Sequence, residues 1–412
     1  MFGIFAEYKG LRKEVYLLLL GRMVSSMGAL VFSMLALILK NKLGFTSSAV
    51  ADVLLLTTLL YIPGTLISGK LCDHFNKRNL IIVFSIGTII CELICGIIPL
   101  SMSTIIIHIT GSLFSLMQWP CYDGLFADMS KTKDRDRVYS LNYLLANLGG
   151  VLSPTIGGLL FINHLNISFF ITAFSAMVST LIIFLFVKDV TKEKDIELNR
   201  DSYEQSIPAK STIWSVLRQR KIIVFYLFCL VIADMIYTQF VFLLPLNLEQ
   251  LFQAKGASYF GNLMSLNAAI VGIGTPIITS IFKKRRDTEK MIIGNIFIVV
   301  ALSSFIFIQG KFPLFFVTIF FLTIGEIFSS VGQKPYLSKR IPASHRGRMI
   351  SIALISVRVC EALFNKLVGY LVDNYSIEFC WTVISSIGVF AIITIIIFNF
   401  YDKKIYPKLS VE

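Results

Sequence analysis

Eight ionisable side chains, Arg22, Glu92, Asp123, Asp234, Glu326, Arg358, Glu361 and Lys366, fall inside long apolar runs of the sequence. A charge at the centre of a helix in hydrocarbon costs about 2.5–3.5 kcal/mol on insertion scales, so such residues turn toward protein or water and commonly carry function. Glu326 heads a polar stripe, with Ser329, Ser330 and Gln333 following at helical spacing on the same face. A carboxylate there can take up and release a proton; a structural glutamate bonded to a neighbouring helix fits the same pattern. Asp234 is followed on its own face by Tyr237 and Thr238 and is a second acid that lines a cavity or packs a helix. Arg358 and Glu361 lie one turn apart and Lys366 further along the same stripe. Either they pair within the helix, or a cation is left to hold an anionic part of a bound molecule. Arg22, near the start of the first run, can snorkel to the membrane surface, and Trp119, Tyr143 and Phe240 can line an apolar pocket or fill a core.

The elements that must position these residues follow from composition. The 412-residue chain is 55% hydrophobic and 15% charged, with mean hydropathy +0.75 and 35 Phe. Soluble domains carry about 25% charged residues. Apolar runs at 15–39, 47–68, 79–100, 103–127, 139–161 and 166–187 are followed by a second set at 222–248, 258–282, 290–309, 312–333, 349–372 and 378–401. Each is close to the ~20 residues that cross a bilayer as a helix. The first is too long for a signal-peptide core and is expected to be retained. Two six-helix bundles, 1–187 and 222–412, joined by a polar linker at 188–221, are therefore expected.

Lys and Arg concentrate in the N-terminal segment, alternate short loops, the linker and the C-terminal tail. The positive-inside rule then places both termini and the linker in the cytoplasm of a cell whose cytoplasmic membrane holds the chain. The net charge of +13 is loop charge that meets anionic lipid, and nucleic acid is not an expected partner. The seven cysteines have no metal-ligand spacing, and are read as packing residues without disulfides. No metal or cofactor is expected, and no phosphate-binding loop marks a nucleotide-driven pump or an enzyme.

An internal repeat appears at an offset of about 211 residues, where "RVYSLNYLLANLGGVLSPTIGGLL" (137–160) aligns with "RMISIALISVRVCEALFNKLVGYL" (348–371). Arg358 then falls on Asn147 and Glu361 on Gly150. Related halves of this kind, rocking about a site near the bilayer midplane, are the construction of secondary transporters.

"GKLCDHFNKR" (69–78) sits between the second and third runs and resembles the loop signature of the major facilitator superfamily, Gly-x-x-x-Asp-Arg-x-Gly-Arg-Arg. The resemblance implies an all-α membrane fold of twelve helices in two pseudo-symmetric bundles. It also implies gating roles for Gly69 in close helix approach, Asp73 at a helix end, and Lys77 and Arg78 at the inner face. His74 departs from the signature, as does Asn76, which tolerates left-handed backbone in place of glycine. "NLGGVLSPTIGG" (147–158) is similar to the Gly-x-x-x-Gly-Pro-x-x-Gly-Gly segment of drug:proton antiporters in that superfamily, through Gly149, Pro154, Gly157 and Gly158, and favours export. "TIGEIFSS" (323–330) and the segment from Tyr122 resemble LmrP-type multidrug transporters, and the resemblance implies Glu326 and Asp128 as proton-coupling acids, to which Asp234 is added as an acid within the seventh apolar run.

The reading is a proton-coupled exporter of amphipathic organic compounds working by alternating access. Its cavity is expected to use Asn147, Tyr143, Arg358, Glu361, Lys366, Gln333 and Tyr237. Its partners are a small-molecule substrate, protons and lipid, and a monomer is expected. An exporter of an anionic or zwitterionic metabolite such as a siderophore, a proton-coupled nutrient importer, and a membrane scaffold without transport remain open alternatives.

Overall fold

In a computed structural model the protein is described over residues 10–130, 135–187, 217–282, 284–340 and 343–406. Most of the expected linker therefore lies outside the described residues. The helices are α1 (Lys13–Met27), α2 (Leu30–Leu37), α3 (Ser47–His74), α4 (Lys77–Ile97), α5 (Met102–Met129), α6 (Arg135–Leu160), α7 (Leu165–Phe186), α8 (Lys221–Tyr237) and α9 (Gln239–Phe252). They continue with α10 (Gly256–Ile281), α11 (Asp287–Ser304), α12 (Phe312–Arg340), α13 (Ala343–Asn374) and α14 (Ile377–Ile405). No strand occurs among the described residues. Twelve passages result, because α1–α2 and α8–α9 are each one apolar run broken in its course. Short polar joints supply the caps: Asn76 Oδ1 accepts from Asn79 N at 3.0 Å, Ser101 and Thr104 form a capping box, and Ser376 accepts from Phe379 N. Asn76 has φ −63°, so its value at the joint is as an N-cap and not as a left-handed residue.

The chain divides into two compact units. The first comprises Met1–Gly44, Leu56–Leu198 and Gln253–Gly272, the second Phe45–Leu55, Asn199–Phe252 and Ile273–Glu412. Within the first, α1 packs on α6 and α7, and α4 on α5 and α7. Within the second, α8 packs on α13 and α14, and α11 on α12 and α14. Numbered as passages, these pairings are the same set in each unit, as the sequence repeat requires.

Both broken passages find local partners for their backbone. At the α1–α2 break the carbonyl of Gly28 accepts from Thr172 Oγ1 of α7 at 2.6 Å, and a side chain at Gly28 would run into Ser175. At the α8–α9 break, Gln239 Nε2 donates to Met235 O at 3.2 Å and to Asn365 Oδ1 of α13 at 2.8 Å. Hydrocarbon offers no water to groups that leave a helix ladder, so breaks persist only where side chains supply the bonds.

Glycines set the closest helix approaches. Gly149 lies on the backbone of Met23, Gly157 on that of Leu30, and Gly158 on that of Ala257 and Ser258. Gly294 and Gly325 bring α11 and α12 together in the same manner. Gly69 has nothing within 4 Å of where a Cβ would stand, which corrects the expectation that it permits a close approach. A second correction concerns sulfur: Cys72 of α3 and Cys121 of α5 are joined in a disulfide, 49 residues apart in sequence. Antiparallel packing brings their Cα atoms to 5.6 Å, a proximity that spacing along the chain does not reveal.

Ion networks tie the start of α4 to the end of α5, and the start of α11 to the end of α12. In the first unit Lys77 Nζ meets Asp128 Oδ2 at 2.6 Å, and Arg78 donates to the last carbonyls of α7, Phe184 O at 2.6 Å. In the second, Arg340 grips Asp402 with two bonds of 3.0 and 2.9 Å, lies 3.6 Å from Asp287, and stacks over Tyr336, whose hydroxyl donates to Asp402 at 2.8 Å. Asp402→Asn takes from Arg340 its two-bonded partner and leaves only Asp287 at 3.6 Å to balance it, and is expected to destabilise the protein by about 1.5–3 kcal/mol. Gly149→Val, which drives a side chain into the Met23 backbone, is expected to cost about 1–3 kcal/mol. Thermal unfolding of the purified protein in detergent measures both.

Candidate functional site

In the second unit the break after Tyr237 stands directly beyond Asp234, whose carbonyl still accepts from Thr238 N at 2.9 Å. The Asp234 carboxylate is half-buried, with the Gln333 side chain of α12 near it and the charges of Glu361 and Arg358 on α13 close enough to act on it. Arg358 Nη1 donates to Glu361 Oε2 at 3.0 Å; the guanidinium side is 63% exposed, while the Glu361 side chain is buried. Four residues singled out in sequence, Asp234, Gln333, Arg358 and Glu361, thus come from three helices to one place. Tyr237 is half-buried beside this set, its ring 6.2 Å from that of Phe240. Asn365, which ties the break to α13, was not foreseen; it lies one helical turn beyond Glu361 on the same stripe.

The corresponding passages of the first unit hold a different cluster. Arg22 of α1 is buried, not snorkelling: its guanidinium lies 4.6 Å from the centre of the Trp119 ring and 5.2 Å from that of Tyr122. Its Nη1 stands 3.5 Å from Asp123 Oδ1. Cation–π contacts of this kind stabilise by about 0.5–2 kcal/mol and fix the guanidinium plane. Half of the Trp119 and Asp123 side-chain surfaces stays open. An exposed aspartate inside a membrane passage faces water rather than acyl chains.

The remaining candidates are distributed. Glu326 is half-buried on α12, but its stripe is divided: Ser329 Oγ faces Asn295 Nδ2 in the α11–α12 seam at 3.5 Å, Ser330 bonds its own helix, and only Gln333 reaches Asp234. Lys366 is not part of the Asp234 cluster, because its Nζ pairs with Asp52 Oδ1 of α3 at 2.8 Å. Asp128, at the end of α5, is held by Lys77, at the start of α4. Asn147 is half-buried on α6, and Pro154 is buried against Gly261 of α10. The side chains of Asp73 and Tyr143 lie outside the described residues.

Glu92 and His108, both buried, meet at 2.9 Å between α4 and α5, with Glu92 Oε2 left without a partner. The first was a weak candidate and the second was missed. A signal was present, since the short joint at 98–101 places both one to two turns from the same end of their helices. Among the described residues no cluster of His, Cys, Asp and Glu could hold a metal ion.

Comparison with known proteins agrees with this architecture. The family model of the Major Facilitator Superfamily matches residues 18–365. The chain is 21% identical over 410 residues to a Na(+), Li(+), K(+)/H(+) antiporter of Planococcus maritimus, covering 91% of this chain and 93% of that protein. It is 23% identical over 274 residues to the uncharacterized MFS-type transporter YdeE of Escherichia coli (strain K12), covering 64% of this chain and 65% of the other. Among solved structures, a POT family transporter in complex with 5-aminolevulinic acid superposes with TM-score 0.76 at 15% identity over 95% of this chain and 96% of that one. The nucleoside transporter NupG gives TM-score 0.73 at 11% identity, over 93% and 99%. With the family model spanning most of its length and the repeated helix pairing beneath it, this chain belongs to the major facilitator superfamily, as a multi-pass membrane transporter and not an enzyme.

Proposed function

We propose that the chain is a secondary active, proton-coupled antiporter that exports amphipathic organic compounds by alternating access. The observation that carries the reading is the Asp234 carboxylate, set beside a helix break with Gln333, Glu361 and Arg358 around it. Interrupted helices at corresponding positions of two repeats are the usual pointer to a transporter's binding site. An acid embedded there can exchange one proton for a cationic ligand without leaving net charge in the membrane. The full-length similarity to an antiporter that exchanges cations against protons supports the coupling ion. The glycine–proline segment of α6 supports export, packed as it is on α1 and α2 through Gly149 and Gly157. Glu326 and Asp128 serve in this proposal as further acids on the proton path, and the chain works in the cytoplasmic membrane with both termini inside.

A second reading is exchange of monovalent metal cations for protons, which the name of the Planococcus relative favours. Everted vesicles separate the two. With an imposed pH gradient, adding a lipophilic cation such as ethidium is expected to dissipate the gradient in proportion to its uptake. If Na+ or K+ dissipates it and ethidium does not, the second reading replaces the first. In either case Asp234→Asn is expected to lower proton-driven flux by about tenfold or more, with the protein still folded and inserted. Wild-type flux in Asp234→Asn would remove the central role given to this carboxylate.

A further inference from the structure

Where α11 gives way to α12, the two helices part around an apolar cleft. Val300, Ser304 and Ile308 stand on one wall, Leu314, Val317 and Thr318 on the other, and the cavity between them measures about 270 Å3. Sites that enclose a drug-sized ligand run to about 300–1,000 Å3, so the cleft is small for a transported organic compound. Its two hydroxyls make no demand on an occupant. Ser304 Oγ donates to Ala301 O at 2.7 Å and, with its one proton so used, accepts from Thr318 Oγ1 at 2.8 Å. What fills the cleft is therefore hydrocarbon. Val300 and Val317 are more than half exposed at its rim, on membrane passages where open apolar surface meets acyl chains. Along α12 the cleft runs from Leu314 to Phe321, about 10 Å at the helical rise. One leaflet contributes half of a ~30 Å hydrocarbon core, so the cleft has the reach of a lipid chain and begins at the end of the passages, where headgroups lie.

The joint above the cleft, 309–311, holds one cation. Gln309 is turned to the protein, its Nε2 donating to Phe305 O at 2.6 Å and its Oε1 accepting from Asn247 Nδ2 at 3.1 Å. Gly310, at φ 77°, takes the left-handed conformation that the turn requires. Lys311 is exposed, and no acid pairs with it among the described residues. Its backbone is bonded to both walls, N donating to Ile308 O at 3.0 Å and O accepting from Leu314 N at 2.9 Å. We propose that this cleft is a binding site for one anionic phospholipid, with an acyl chain between α11 and α12 and the headgroup phosphate on Lys311. The walls select a chain, because they are apolar and their hydroxyls are already bonded. The lone cation at the mouth selects a negative headgroup. The site lies wholly within the second unit, and Gln333 of the Asp234 cluster is about three turns further along α12. The inference uses neither the coupling ion nor the direction of transport.

Native mass spectrometry of the full-length protein in detergent, titrated with phosphatidylglycerol or with phosphatidylcholine of the same chain length, tests it. The first phosphatidylglycerol is expected to bind about fivefold more tightly than phosphatidylcholine, the discrimination that one lysine gives at a membrane surface. Lys311→Glu is expected to abolish this preference and leave phosphatidylcholine binding unchanged. Lys255→Glu, which makes the same charge change at another joint, is expected to keep the preference. Val317→Trp puts an indole into the cleft and is expected to weaken the first binding of both lipids about tenfold, the loss of roughly two buried methylenes. Val300→Trp should do the same from the opposite wall, and it carries the test if Val317→Trp does not fold. The proposal is overturned if the wild-type protein shows no preference, if Lys311→Glu keeps it, if Lys255→Glu abolishes it as fully, or if lipid binding survives both tryptophans. A dimer in detergent that Val317→Trp dissociates would also overturn it, since the face would then belong to a second copy of the chain.

Discussion

Hydrocarbon cannot hydrogen-bond, and nearly every polar feature of this protein answers to that constraint. A soluble helix that breaks hands its freed carbonyls to water; here α1–α2 hands Gly28 O to Thr172, and α8–α9 is bridged by Gln239 to Asn365. The breaks fall at matching places in the repeat, Gly28 lying over Gln239 at the offset of about 211 residues seen in the sequence. In each case the helix ladder is opened beside an ionisable residue of the same passage, Arg22 in one and Asp234 in the other.

The repeat preserves geometry more strictly than chemistry. Helix pairings recur passage for passage, yet the ion networks that join the third and fourth passages of each unit reverse their signs. In the first unit the cation, Lys77, begins α4 and the acid, Asp128, ends α5; in the second the acid, Asp287, begins α11 and the cation, Arg340, ends α12. Opposite charges across a joint satisfy each other in either order. Asp402 and Tyr336 then enclose Arg340 in the second unit, while Lys77 remains partly open. The more buried network is the stiffer one, since its partners cannot be exchanged for water without exposing a charge in a dry site.

Much of this was legible in the sequence because membrane passages obey a simple length rule and charges inside them are rare. The twelve passages and the repeat follow from hydropathy and helical spacing alone, and the pairing of Arg358 with Glu361 is one of the two arrangements that their spacing allows. What spacing could not give was rotation of one helix against its neighbour. The Glu326 stripe read as a single face, but Ser329 turns into the α11–α12 seam because Gly294 and Gly325 draw those helices together. Lys366 read as part of the cavity, but two further turns of α13 carry it to Asp52. Cys72–Cys121 and Glu92–His108 each join residues from two helices that only packing brings together. Arg22 was misplaced for a related reason: its depth allowed snorkelling, and only the presence of Trp119 and Tyr122 on α5 made burial the better arrangement.

The two central clusters divide labour in a way the repeat makes visible. Arg22 and Asp123 occupy nearly the same repeat positions as Asp234 and Gln333, so the first and fourth passages of each unit contribute a polar pair. In the first unit the pair is one cation and one acid, with the guanidinium held flat on two aromatic rings and unable to reorient without losing them. In the second, Glu361 pairs with the exposed guanidinium of Arg358, the second acid, Asp234, lies within reach of both charges, and an amide such as that of Gln333 can satisfy a carboxylate or a carboxylic acid equally well. A cluster with one more acid than base can change its proton count while every member keeps a partner, and a cluster locked by ring contacts cannot. That asymmetry is the ground on which the proposed function puts coupling at Asp234, while the rings of Trp119 and Tyr122 hold Arg22 in one place.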